Sequence, residues 1–135
     1  MKKLYLIIAL FSAAPVMAET VVIVHPSNTA ALDSDTVARI FLGRDKSFPD
    51  GASALPVALI EGVPATEEFN SKILKKSSSQ LKAYWSKLVF TGKGTPPKEA
   101  DTDAESVKLV GTNPSLIGYV DASAVDASVK VILKL

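Results

Sequence analysis

Apolar residues fall along this chain in two rhythms. Three stretches run without polar interruption: Glu19–Val24 (ETVVIV), Leu55–Ile60 (LPVALI) and Leu116–Val120 (LIGYV). All three predict strands, the second buried and the first, rich in β-branched residues, a central one covered on both faces. Pro56 cannot donate to a ladder, so the hydrogen-bonded part of the second strand should begin just after it. Gly118 in the third leaves room for another group to come close. Val129–Leu135 instead alternates, Val131 and Leu133 against Lys130 and Lys134, as expected of an edge strand guarded by lysines.

The other rhythm is helical. Val37, Ile40 and Phe41 share one face of a short helix capped by Asp33 or Ser34 and stopped by Gly43. Phe69, Ile73 and Leu74 supply the inner face of a helix from about Pro64 to Lys75, with Pro64 in its first turn and Glu67 and Glu68 complementing the dipole there. Ser77 with Gln80 forms a capping-box pattern ahead of Leu81, Tyr84, Trp85, Leu88 and Val89, spaced i, i+3, i+4, i+7, i+8. Gly92 and Pro96-Pro97 end that segment, and the stripe predicts a core helix with Trp85 buried. Thr102 and Glu105 repeat the capping spacing before Val107 and Val110. Asp121 to Asp126 is expected as a turn or short helix. Strands alternating with helices predict an α/β sheet in one domain.

The first residues follow neither rhythm. Lys2 and Lys3 precede an apolar run from Leu4 to Phe11 and then Ser12-Ala13-Ala14-Pro15-Val16-Met17-Ala18. A charged start, an apolar centre and small residues at the −3 and −1 positions predict a signal peptide over 1–18, cleaved after Ala18. The run is shorter than the roughly 20 residues that a membrane anchor needs. Residues 19–135 are then expected as a periplasmic domain without a membrane anchor. Lacking Lys2 and Lys3, 13 basic residues face 14 acidic ones, and this balance gives no support to a nucleic-acid partner. There is no cysteine, so the core alone must hold the fold, and thiol chemistry and Cys-ligated metals are excluded. Between Lys72 and Lys98 lie seven lysines and no acid, a solvated face or, alternatively, a docking patch.

Candidate chemistry is sparse. His25 is the sole histidine, without the company a metal site or a serine triad needs, and no G-x-S-x-G or phosphate-loop motif occurs. Glu67 and Glu68 are adjacent, so their side chains diverge by about 100° on a helix. No enzyme activity, metal or cofactor is expected. An anion would find its best donors where a strand turns into a helix. That is Gly62 to Thr66, with free amides near Gly62 and Ala65 and the Thr66 hydroxyl. Ser27 and Asn28, after the first strand, could add donors if they share that edge of the sheet. They are equally suited to a local turn. Glu61, Glu67 and Glu68 crowd the position with negative charge.

Three segments together resemble the substrate-binding proteins of phosphate ABC importers. They are ARIFLGR (Ala38 to Arg44), YWSKLVFTGKGTPP (Tyr84 to Pro97) and VGTNPSLIGYV (Val110 to Val120), in the family's order and spacing. The resemblance implies a single lobe of the type II periplasmic-binding-protein fold, a mixed, mostly parallel sheet flanked by helices. It also implies phosphate or another oxyanion as ligand, in transport or sensing. Members of that family have two lobes with phosphate between them, and this chain matches the second. The family's R-S-D-x-S-G-T run falls at Ile60 to Thr66 (IEGVPAT), where the arginine and the serine-glycine pair are gone. The expected function is therefore a solute-binding-like protein with weak oxyanion affinity. The alternative is a module of the same fold that binds no ligand and meets a protein partner or second lobe.

Overall fold

The structure is a computed structural model and describes residues 19–135; the expected signal peptide and its cleavage site lie outside the described residues. Five strands form one sheet: β1 (Thr20–Val24), β2 (Leu55–Leu59), β3 (Lys98–Ala100), β4 (Leu116–Asp121) and β5 (Lys130–Lys134), ordered β3-β2-β4-β1-β5. β2 pairs in parallel with β3 and β4, whereas β1 pairs antiparallel with both β4 and β5. Four strands thus point one way and β1 alone points the other. Every residue of β1 is buried, as its unbroken apolar run requires. β5 lies at the sheet edge and keeps Lys130 and Lys134 exposed.

Helices cover both faces. Gly118 and Tyr119, adjacent in β4, point to opposite sides of the sheet. On the Gly118 side packs α4 (Asp103–Thr112), capped by Thr102, whose hydroxyl accepts from Glu105 N at 3.1 Å. A Cβ on Gly118 would lie 2.9 Å from Ser106 Oγ, so the glycine is what lets α4 settle. On the other side lie α1 (Ser34–Phe41), capped by Asp33, and α2 (Pro64–Phe69), which widens into a π-helical turn at Asn70–Leu74. Phe41, Phe69 and Tyr119 form the aromatic centre of that layer. The Phe69 and Tyr119 rings stack at 4.1 Å, and Phe41 tilts against Phe69 at 4.6 Å.

One strand is unexpected, and one expectation is corrected. The segment Lys98–Ala100 follows a double proline and carries charges, yet it forms β3, a short edge strand beside β2. Its polar residues are tolerated because only Ala100 of the three is buried. The corrected expectation concerns α3 (Ser78–Phe90). Its capping box forms as expected, with Gln80 N donating to Ser77 Oγ and Ser77 N to Gln80 Oε1. None of its residues is fully buried, however, and Trp85 is only half-buried. The apolar stripe does face inward, but it rests on loops rather than on the sheet. Tyr84 Oη donates to Leu42 O at 2.6 Å, and the Trp85 ring lies where a Cβ on Gly43 would meet it at 3.2 Å. Periodicity reveals that a helix has an apolar face, not that the face is covered. Val89 (54 % exposed) is only partly covered and Phe90 (92 %) is almost bare.

Candidate functional site

Beyond the end of β2 the chain runs through Glu61 and Gly62, whose φ of 93° suits only glycine, into Pro64 at the first position of α2. The backbone folds on itself there. Thr66 N and Glu67 N both donate to Val63 O, at 3.1 and 3.2 Å. The Thr66 hydroxyl donates to Ile60 O at 2.8 Å and is buried. It also accepts from Tyr119 Oη at 3.5 Å, while that oxygen accepts from Leu59 N at 3.2 Å. Burial raises the Tyr119 pKa above the usual phenol value, so the relay is neutral. The Thr66 proton is spent on the strand that precedes it. Gly62 and Ala65 keep their place at this turn, and Ala65 lines a small pocket of ≈ 270 Å³.

That pocket is acidic. Asp101, Asp103 and Asp121 share its wall with Val63, Pro64 and Ala65, and no basic residue lines it. Hydrogen bonds from Ser123 hold the Asp121 carboxyl below its ordinary pKa, so it is charged at neutral pH.

Ser27 and Asn28 do not join this end of the sheet. β1 runs against β4, with Thr20 opposite Asp121 and Val24 opposite Ile117, and β4 runs alongside β2 from Leu55 opposite Leu116. The turn after β1 therefore sits at the start of β2, a strand length of about 15 Å from the turn at Gly62. There the two residues are occupied locally. Ser27 Oγ lies 2.7 Å from His25 Nδ1, Asn28 Oδ1 accepts from Ala30 N at 2.9 Å, and Asn28 O accepts from Lys130 Nζ. One reversed strand separates what the sequence pattern had placed together.

A larger feature went unread in the sequence. Between α3 and the β2–β3 side of the sheet is a cleft of ≈ 440 Å³, walled by Phe41, Leu59, Phe69, Leu81, Trp85 and Tyr119. At its rim Lys82 Nζ meets Glu61 at 3.0 Å, with Glu99 nearby on β3. Asn70, in the π turn, reaches both this cleft and a shallower basin beside Lys75 and Lys76. The available signal was the spacing Asn70, Ile73, Leu74: i, i+3, i+4 puts a carboxamide on an otherwise apolar face.

No protein-family model matches the sequence, and no curated protein matches it. Solved structures do match in fold. One is a protein from Clostridium perfringens described as a phosphate ABC transporter substrate-binding protein, solved with bound phosphate; it is 20 % identical with a TM-score of 0.65. Another is an ABC-type phosphate transport receptor from Vibrio cholerae, 16 % identical with a TM-score of 0.67. A third is PstS from Borrelia burgdorferi, 10 % identical with a TM-score of 0.60. Each match covers 84 % of this chain but only 44 to 46 % of the other. The chain thus has the fold of part of these receptors and spans less than half their length. Among the described residues no helix is long and apolar enough to cross a membrane.

Proposed function

We propose that this chain is an exported, periplasmic solute-binding-like protein that takes phosphate or a similar oxyanion weakly, in transport or sensing. The observation that carries the reading is the fold likeness to three phosphate receptors over 84 % of the chain. The anion would sit at the turn into α2, on amides near Gly62 and Ala65.

The site's chemistry sets the strength. A desolvated oxyanion needs many donors and a charge partner. Here the Thr66 hydroxyl points to Ile60 O, Ser27 and Asn28 are at the far end of the sheet, and Glu61, Asp101, Asp103 and Asp121 supply the wrong sign. Dissociation constants no tighter than about 0.1–1 mM follow, worth roughly 4–5.5 kcal/mol. A thermal-shift series with phosphate, sulfate and molybdate against chloride of equal ionic strength tests the reading. Linkage predicts a rise of several degrees at about 50 times Kd. No rise with any oxyanion would overturn it.

The alternative, a ligand-free protein-interaction module of the same fold, rests on one feature, the exposed Val89 and Phe90 at the end of α3. Nothing in the solved neighbours favours it.

A further inference from the structure

Asn70 is 7 % exposed, yet its carboxamide makes no hydrogen bond to any described residue. Among the described residues the one polar side-chain atom sealed off without a partner is Ser106 Oγ, so the Asn70 carboxamide keeps access to solvent, and the residue lines both this cleft and the basin beside Lys75 and Lys76. A group that can donate twice and accept twice, nine-tenths buried and unmet by protein, has to be met by something from solution. The backbone is shaped around it as well. Asn70 begins the π-helical turn, and its own carbonyl accepts from Lys76 N at 3.1 Å across the widened loop. Single π turns inside helices recur at functional positions because they re-aim a side chain.

We infer that the cleft beneath α3 is a binding site for a small uncharged molecule with a flat apolar body and one hydrogen-bonding group, oriented by Asn70. The volume of ≈ 440 Å³ lies within the range of small-molecule sites, which are mostly apolar with a few placed polar groups. Trp85 and Leu81 from α3 form its open wall, and the buried rings of Phe41, Phe69 and Tyr119 lie beneath it as a floor. The charge at the rim selects against anions. Lys82 is paired with Glu61, and Glu99 has no ion-pair partner among the described residues, so the mouth carries a small negative excess. The cleft borders the turn at Gly62–Ala65, sharing Glu61 and Thr66 with its flanks, but the group assigned here is Asn70 rather than the turn's amides, so the inference stands whether or not that turn takes phosphate. It also accounts for the half-exposed stripe of α3: the faces of Leu81 and Trp85 left bare by the sheet are walls.

The test is a titration of the ¹⁵N-labelled protein followed through two side-chain signals, the Asn70 carboxamide and the single tryptophan indole. Benzamide presents a ring and an amide, toluene the same ring without a polar group, and benzoate the ring with a negative charge. Benzamide should shift both signals saturably at millimolar concentration, and toluene and benzoate should bind at least fivefold more weakly. Asn70→Leu should reduce benzamide affinity about tenfold while leaving toluene binding intact, the loss expected when one placed hydrogen-bond partner is removed. Should that variant fail to fold, the ranking of the three probes on the unaltered protein still decides. Equal affinity for toluene and benzamide, tighter binding of benzoate, or no saturable shift would overturn the inference. So would Asn70 and Trp85 signals that broaden with protein concentration alone, because a second copy would then occupy the cleft.

Discussion

Tyr119 Oη and Thr66 Oγ1 lie 3.5 Å apart although 53 residues separate them in sequence. The pair joins the middle of the sheet to the first turn of α2. Because the Thr66 hydroxyl donates its hydrogen bond to Ile60 O, one buried hydroxyl ties the loop between β2 and α2 together. Thr66→Ala should cost about 1–3 kcal/mol, since it leaves buried polar groups unpaired. Thr66→Ser should recover most of that. Urea unfolding of the two variants measures it, and an Ala variant as stable as the parent would show that the hydroxyl is not engaged.

The same relay sets a pH limit. Burial raises the Tyr119 pKa above its ordinary 10.0, so the folded state holds the phenol proton more tightly than the unfolded chain does. The stabilisation is fully present below pH 10 and is lost as pH rises from there through the higher folded value. Stability measured from pH 8 to 11.5 should fall above about 10. Tyr119→Phe should start lower but flatten that fall; an unchanged slope would remove Tyr119 as its source.

Gly118 and Ser106 form a second close pair, on the opposite face. A Cβ at 118 would sit 2.9 Å from Ser106 Oγ, so Gly118→Ala should destabilise by about 1–3 kcal/mol through overpacking. Ser106 Oγ is enclosed without a partner, and Ser106→Ala should be neutral or stabilising. In the double variant the costs should not add, because the group that clashes has gone. Strict additivity in a thermal-unfolding cycle would contradict this packing.

Most of the fold could be read from residue order because each local signal agreed with its neighbours. Asp33, Ser77 and Thr102 cap the helices whose starts they mark, and the unbroken run Val21–Val24 is buried along its length. What could not be read depends on partners distant in sequence. The direction of β1 is set by Val22 pairing with Tyr119 and Leu133, which nothing within Glu19–Val24 encodes, and it alone moves Ser27 and Asn28 away from Gly62. Thr66 was legible as a hydroxyl at a helix start, but its orientation toward Ile60 O depends on the turn at Gly62. Trp85 had the spacing of a core residue and lacked only the opposing layer.

That partial cover gives a measurable consequence for Trp85. A fully buried Trp→Ala change costs about 3–5 kcal/mol, and half-burial should bring this to roughly 1.5–2.5. Acrylamide should quench the single tryptophan to an intermediate degree. Full protection from quencher, with a cost near 5 kcal/mol, would mean that α3 lies deeper than described.

Calorimetry with inorganic phosphate at pH 7 is the most direct test of the proposed weak oxyanion site. The expected dissociation constant is no tighter than about 0.1 mM and weakens further as salt rises, as for charge held at an open half-site in water. A micromolar constant would contradict it, because the acidic wall of Asp101, Asp103 and Asp121 and the committed Thr66 hydroxyl could not supply such affinity.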